Sequence, residues 1–235
     1  MRLWVFLWIA TCLGWTGSAG AGPARIEDSL PQRLAACTTC HGKEGRAAPD
    51  GYHPRIAGKP AGYLYNQLRN FQDGRRRYGA MVLLVDPLPD AYLHEIADYF
   101  AALDLPYAAA PAAREDAATL ARGRTLALQG DAARQLPACT ACHGTALTGQ
   151  QPNTPGLLGL PRDYLVGQLG AWVNGQRRAH APDCMAKVAQ SLVGSDVIAV
   201  AAWLASQPVP TPAHAAPPSR EAPHLACGGV PQVSP

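Results

Sequence analysis

The chain has 235 residues, enough for one large domain or two small ones, with 48% hydrophobic and only 16% charged residues. Its 20 basic and 17 acidic residues leave a net charge of +3 without a basic run, which argues against a nucleic-acid partner. The 22 prolines predict long connecting segments.

Residues 1–21 read as a signal peptide. Arg2 precedes an apolar run from Leu3 to about Leu13, and Ala19-Gly20-Ala21 fits an A-x-A cleavage site. The run is shorter than the roughly 20 residues of a membrane span. The expectation is therefore a cleaved leader rather than a retained anchor, and a mature protein exported to a bacterial periplasm. Cleavage leaves six cysteines: Cys37, Cys40, Cys139, Cys142, Cys184 and Cys227.

Residues 22–105 form the first predicted domain. Ser29 is placed to cap a helix that runs through Leu34 and Ala35 into "CTTCHG" at 37–42. Cys37 and Cys40 lie one helical turn apart, so both can add to the vinyl groups of one haem. The adjacent His41 is then carried beneath the ring, where its imidazole can bind iron. Taken alone, the motif also suits a thiol redox pair or half of a zinc site. Further on, Pro60 opens a helix and Gly74 stops it, with Leu64, Leu68 and Phe71 on one face. The closing helix, 90–103, carries the stripe Leu93, Ile96, Ala97 and Phe100.

A linker at 106–113 leads to a second predicted domain, 114–207, with a helix expected around 114–128 and "CTACHG" at 139–144. Pro54, Gly58, Pro60, Tyr63, Leu64, Gln67, Leu68, Gly74 and Arg76 recur 101 positions later, from Pro155 to Arg177, and Trp172 answers Phe71. The last helix, 195–207, repeats the stripe as Val197, Val200, Ala201 and Leu204. Two copies of about 100 residues make a duplication rather than a solenoid. Zinc or thiol chemistry does not predict that surrounding pattern, so the expectation is two covalently bound haems c, on Cys37 and Cys40 and on Cys139 and Cys142. No segment alternates like a strand, and the class is all-α. A domain this small buries a limited core, and a haem would enlarge it.

With His41 and His143 on one side of each iron, the other axial position decides the chemistry. Met81 lies 40 residues after His41 and Met185 lies 42 after His143, and the mature chain has no other methionine. Equivalent placement favours both as iron ligands over simple packing, and thioether ligation raises a haem's potential. His53, His94 and His180 are the competitors. Pro54 and Pro155 are candidates to offer carbonyls to the ligand histidines. Arg75, Arg76, Arg177 and Arg178, with Tyr63 and Tyr164, are candidates for haem propionates.

The two C-x-x-C-H motifs, the P-x-x-x-G-x-P…Y-L…Q-L segments and the late methionines resemble the dihaem cytochromes c4. The resemblance covers roughly residues 30–207. It implies a tandem duplication of class I cytochrome c-like haem domains, with two His/Met haems facing across a pseudo-twofold interface. It also implies an electron carrier rather than an enzyme. Its donors and acceptors would be redox proteins: a dehydrogenase, a quinol-oxidising complex or a terminal oxidase, with peripheral association with a membrane complex as one option. The alternative role is electron-transfer subunit of a periplasmic or membrane-bound dehydrogenase, and a dihaem peroxidase is the more distant rival. The chain departs from the family in three extra residues before Met185, in the Cys184 beside it, and in a Pro/Ala-rich tail at 208–235 expected to be extended or mobile. An unpaired cysteine is awkward in an oxidising compartment. Cys184 and Cys227 are the only two outside the motifs, so a disulfide between them is expected.

Overall fold

The computed structural model describes residues 29–219 and 225–230, so the expected signal peptide and tail segments 220–224 and 231–235 lie outside the described residues. The chain divides into two compact units, Met1–Arg33 and Leu34–Pro235. In the first, the described part is one turn, α1 (Leu30–Arg33), where the Arg33 N–H donates to the Ser29 carbonyl at 3.0 Å.

The second unit holds everything else. Its helices are α2 (Ala35–His41), α3 (Ala61–Gln72), α4 (Gly79–Val85) and α5 (Asp90–Ala101), then α6 (Ala117–Leu128), α7 (Thr140–His143), α8 (Arg162–Val173), α9 (Cys184–Gln190) and α10 (Gly194–Ser206). The helix entering the first motif is shorter than expected, because Leu34 (φ −86°, ψ 5°) is the N-cap of α2.

The duplicated punctuation acts as the sequence predicts. Pro60 and Pro161 hold extended N-cap angles before α3 and α8. Gly74 and Gly175 follow those helices at φ +68° and +75°; a Cβ at either would meet nothing, so the backbone angle alone selects glycine. The Asp116 carboxylate caps α6 by accepting from the Thr119 N–H at 2.7 Å.

Packing follows the predicted stripes. α5 lies on α3, and α10 crosses α6 and α8. Leu93, Ile96, Ala97 and Phe100 are buried in α5, as are Val197, Val200, Ala201 and Leu204 in α10. Each large apolar side chain so buried contributes about 1.5–3 kcal/mol. The α6–α10 crossing depends on Gly123, where a Cβ would stand 2.0 Å from the Ala199 carbonyl oxygen.

Three features were not predicted. α4 and α9 are seven-residue helices in segments for which the sequence names no element, too short to reveal a period in sequence. Two-residue strands β1 (Gly149–Gln150) and β2 (Thr154–Pro155) pair antiparallel, Gly149 opposite Pro155. The described tail residues, finally, are tied down. The Ala216 N–H donates to the Gly149 carbonyl at 2.9 Å, and the Gln151 N–H to the Ala216 carbonyl at 2.8 Å. Cys227 and Cys184, the pair expected from the sequence, are disulfide-bonded, and the Asn66 side chain donates to the Gly229 carbonyl at 2.9 Å.

Candidate haem sites

Both C-x-x-C-H segments end a helix, α2 and α7, which sets the two thiols one turn apart and the histidine next to the second. The structure forms no disulfide within either motif, so both sulfurs of each pair are placed for thioether bonds to one haem. Gly42 and Gly144 then reverse the chain at φ +75° and +80°; a Cβ on Gly42 would fall 2.2 Å from the Ala47 carbonyl oxygen. The third residue of the C-H-G triplet is therefore a steric requirement.

That reversal brings a proline loop back over each histidine. His41 Nδ1 sits 2.8 Å from the Pro54 carbonyl and His143 Nδ1 2.7 Å from the Pro155 carbonyl. A carbonyl only accepts, so Nδ1 carries the proton and Nε2 keeps its lone pair. Burial lowers both imidazole pKa values against the opposing effect of the carbonyl bond, keeping the rings neutral. A neutral, oriented imidazole with a free Nε2 is the form that binds a metal.

Met81 lies in the first turn of α4 and Met185 in the first turn of α9, both half-buried. Asp183 caps α9 by accepting from the Ala186 N–H at 3.0 Å. The competing histidines have other partners. His53 bonds Asp50 at 2.5 Å and sets its ring edge-on to His41, centroids 6.1 Å apart. His94 stacks on Tyr65 at 3.9 Å, and His180 Nε2 accepts from Arg75 at 3.1 Å.

The arginines expected at propionates do something else as well. Arg76 and Arg177 face each other in an antiparallel bridge between the halves. Arg76 donates to Gln67 (3.1 Å), Gln168 (2.7 Å) and the Tyr164 hydroxyl (3.1 Å). Arg177 donates to Gln168 (2.8 Å), Gln67 (3.0 Å) and the Tyr63 hydroxyl (3.4 Å). Each residue has its counterpart 101 positions away, so one network is built from two copies of a Tyr, Gln, Arg set. Arg75 is held by Asn70 and Asp73. The sequence signal was present: these polar residues recur together, which surface residues have no reason to do.

Known proteins resolve what this geometry serves. The chain is 37% identical over 181 residues, 77% of its length and 82% of the relative's, to a thiosulfate dehydrogenase electron acceptor of Thiomonas intermedia. It is 31% identical to the cytochrome c4 of Pseudomonas aeruginosa over 82% of this chain and 92% of that one. The chain belongs to the cytochrome c4 family. No family model matches it. Among solved structures, the cytochrome c4 of Pseudomonas stutzeri superposes with a TM-score of 0.64 at 29% identity, covering 75% of this chain and 95% of that one. The thiosulfate dehydrogenase TsdBA of Marichromatium purpuratum superposes with a TM-score of 0.66 at 33% identity, over 73% of this chain; the match spans only 36% of that longer chain.

This member of the cytochrome c4 family is thus a tandem of class I cytochrome c-like folds, an electron carrier with covalently bound haem c. The residues present fit that group on a further count. Trp172 Nε1 is buried with no hydrogen-bond partner, while the Arg177 guanidinium covers its ring at 3.8 Å. A buried indole N–H normally finds an acceptor, and a haem carboxylate is one. Among the described residues, no three His, Cys, Asp or Glu side chains cluster as a metal site of their own.

Proposed function

We propose that the chain holds two haems c, one per half, and receives single electrons from a thiosulfate-oxidising dehydrogenase in the periplasm. Cys37 and Cys40 would carry the first, with His41 and Met81 as axial ligands; Cys139 and Cys142 the second, with His143 and Met185. The supporting observation is the repeated constellation: a C-x-x-C-H helix end, a glycine reversal and a proline carbonyl on Nδ1, twice. Residues 22–105 and 114–207 would be the two domains, 106–113 the linker and 1–21 the export signal.

When bound, each haem supplies a one-electron ferric/ferrous couple. Pro54 and Pro155 hold the imidazoles in one tautomer and orientation. Met81 and Met185, on short helices, present soft thioethers. The linker is braced rather than loose: Arg55 donates to the Leu105 and Pro106 carbonyls and lies 3.9 Å from the centre of the Tyr107 ring. A fixed spacing between two redox centres favours electron passage between them.

The partner assignment rests on relatives whose name is thiosulfate dehydrogenase electron acceptor. Its docking place would be the apolar surface around α4, where Leu83 is 78% exposed and Leu84, Tyr78 and Tyr52 accompany it. Small contacts of this kind suit transient redox encounters.

Mass spectrometry of the exported holoprotein should find two covalent haems. Ferric spectra should show the near-infrared charge-transfer band of methionine-ligated haem, diminished in Met81→Ala and in Met185→Ala. One haem per chain, or no such band, would overturn the ligand reading. Stopped-flow mixing with a thiosulfate-reduced dehydrogenase tests the partner, and no haem reduction would overturn that part alone.

A further inference from the structure

Lys59 breaks the symmetry of the two halves. Its counterpart 101 residues on is Leu160, so one half carries a cation where the other carries an aliphatic side chain. Lys59 is only 4% exposed, yet no carboxylate among the described residues pairs with it. Its Nζ instead reaches into the other half and donates to the Gly156 carbonyl at 3.1 Å. Gly156 directly follows Pro155, whose own carbonyl accepts from His143 Nδ1 at 2.7 Å.

The corresponding loop of the first half is held differently. Arg55, the counterpart of Gly156, anchors itself on the Ala57, Leu105 and Pro106 carbonyls. Lys59 thus sets a charge beside the loop that bonds His143, where the equivalent place in the second half is the aliphatic Leu160. Burial, then Arg55, lowers the Lys59 pKa to about 8, which leaves it a cation at neutral pH.

We propose that Lys59 of the first half is a positioning and potential-setting residue for the second haem site, fixing the loop that orients His143 and favouring the reduced haem there. Oxidation adds a positive charge at the iron. A buried ammonium that no carboxylate of the described residues neutralises opposes that step, and the opposition is felt strongly where water does not screen it. The effect falls on one site because its symmetry mate is Leu160. The inference rests on haem being held at Cys139, Cys142 and His143.

The test compares parent, Lys59→Met, Lys59→Gln and Lys59→Arg holoproteins by spectroelectrochemical titration at pH 7, with haem number measured by mass spectrometry on the same samples. The second haem is identified as the one whose potential moves in Met185→His. The expected result is a tenfold shift of that haem's equilibrium toward ferric in Lys59→Met, about 59 mV for one electron. Lys59→Arg should stay within threefold of the parent, and the first haem should not move. Unchanged potentials in Lys59→Met, or equal shifts of both haems, would overturn the proposal. If Lys59→Met does not accumulate, Lys59→Gln, which keeps a donor for Gly156 but not the charge, decides by the same criterion. One haem in the parent would overturn the two-haem reading instead.

Discussion

Replacing both Cys184 and Cys227 by serine removes the staple between α9 and the tail without leaving a free thiol beside Met185. The bridge closes a loop of 43 residues. Constraining that loop in the unfolded chain is worth about 4 kcal/mol in the chain-entropy model. For a chain of this size each kcal/mol moves the melting temperature by roughly 2–4 °C, so the double variant should melt about 8–16 °C lower. The remaining tail anchors limit native-state loss: the Gly228 N–H still donates to the Pro182 carbonyl at 2.9 Å, and Asn66 to Gly229 at 2.9 Å. Asn66→Ala provides the scale, since one hydrogen bond should cost only about 1 kcal/mol. Thermal unfolding followed by far-ultraviolet circular dichroism, under non-reducing conditions, reads all three proteins. A double variant that melts within about 2 °C of the parent would refute the reasoning.

Other consequences are as direct. Gly123→Ala forces α6 away from Ala199 and should destabilise by about 1–3 kcal/mol; an unchanged denaturation midpoint would contradict the close crossing. Burial alone would raise the Asp196 pKa, but hydrogen bonds from Arg122 (2.9 Å) and Arg134 (2.6 Å) outweigh it and hold the carboxyl below its ordinary 3.8. Its stabilisation is therefore present above pH 3.8 and lost as pH falls through the depressed value. Asp196→Asn should cost about 2 kcal/mol near neutrality, and urea melts should show that gap closing in acid. Leu83→Glu, which removes apolar surface at the 78% exposed tip of α4, should lower the second-order rate of reduction by the partner without altering the visible spectrum.

Much of this molecule was legible because duplication turns weak signals into strong ones. A lone Met gives no placement signal; Met81 and Met185 do recur at equivalent places, each in the first turn of a seven-residue helix. Pro60 and Gly74 mark a helix more firmly when Pro161 and Gly175 mark it again. What escaped was local or non-repeated. α4 and α9 are two turns long, and Asp183 caps α9 through a side-chain bond that leaves no periodic trace. The tail's path depends on long-range pairings with Gly149, Gln151 and Asn66, and nothing in a Pro- and Ala-rich segment announces them.

The arginines show a different gap, in partners that the sequence reading did not name. Charged residues beside a haem motif invite assignment to propionates, and that reading leaves open what else they bond. Arg177 is only 6% exposed, a burial that is costly for a guanidinium unless its donors are satisfied. Here Gln67, Gln168 and Tyr63 accept from it, and Arg76 uses Gln67, Gln168 and Tyr164 in the same way. Neither half can complete the set alone, since each arginine needs acceptors from both. The network therefore favours one mutual arrangement of the halves over others that bury similar apolar area. Within that arrangement Lys59 meets Gly156, and a nearly symmetric duplication acquires two inequivalent sites. Symmetry in the interface and asymmetry at the histidines are thus connected, because a cation can act on one site selectively only if the halves are held in register.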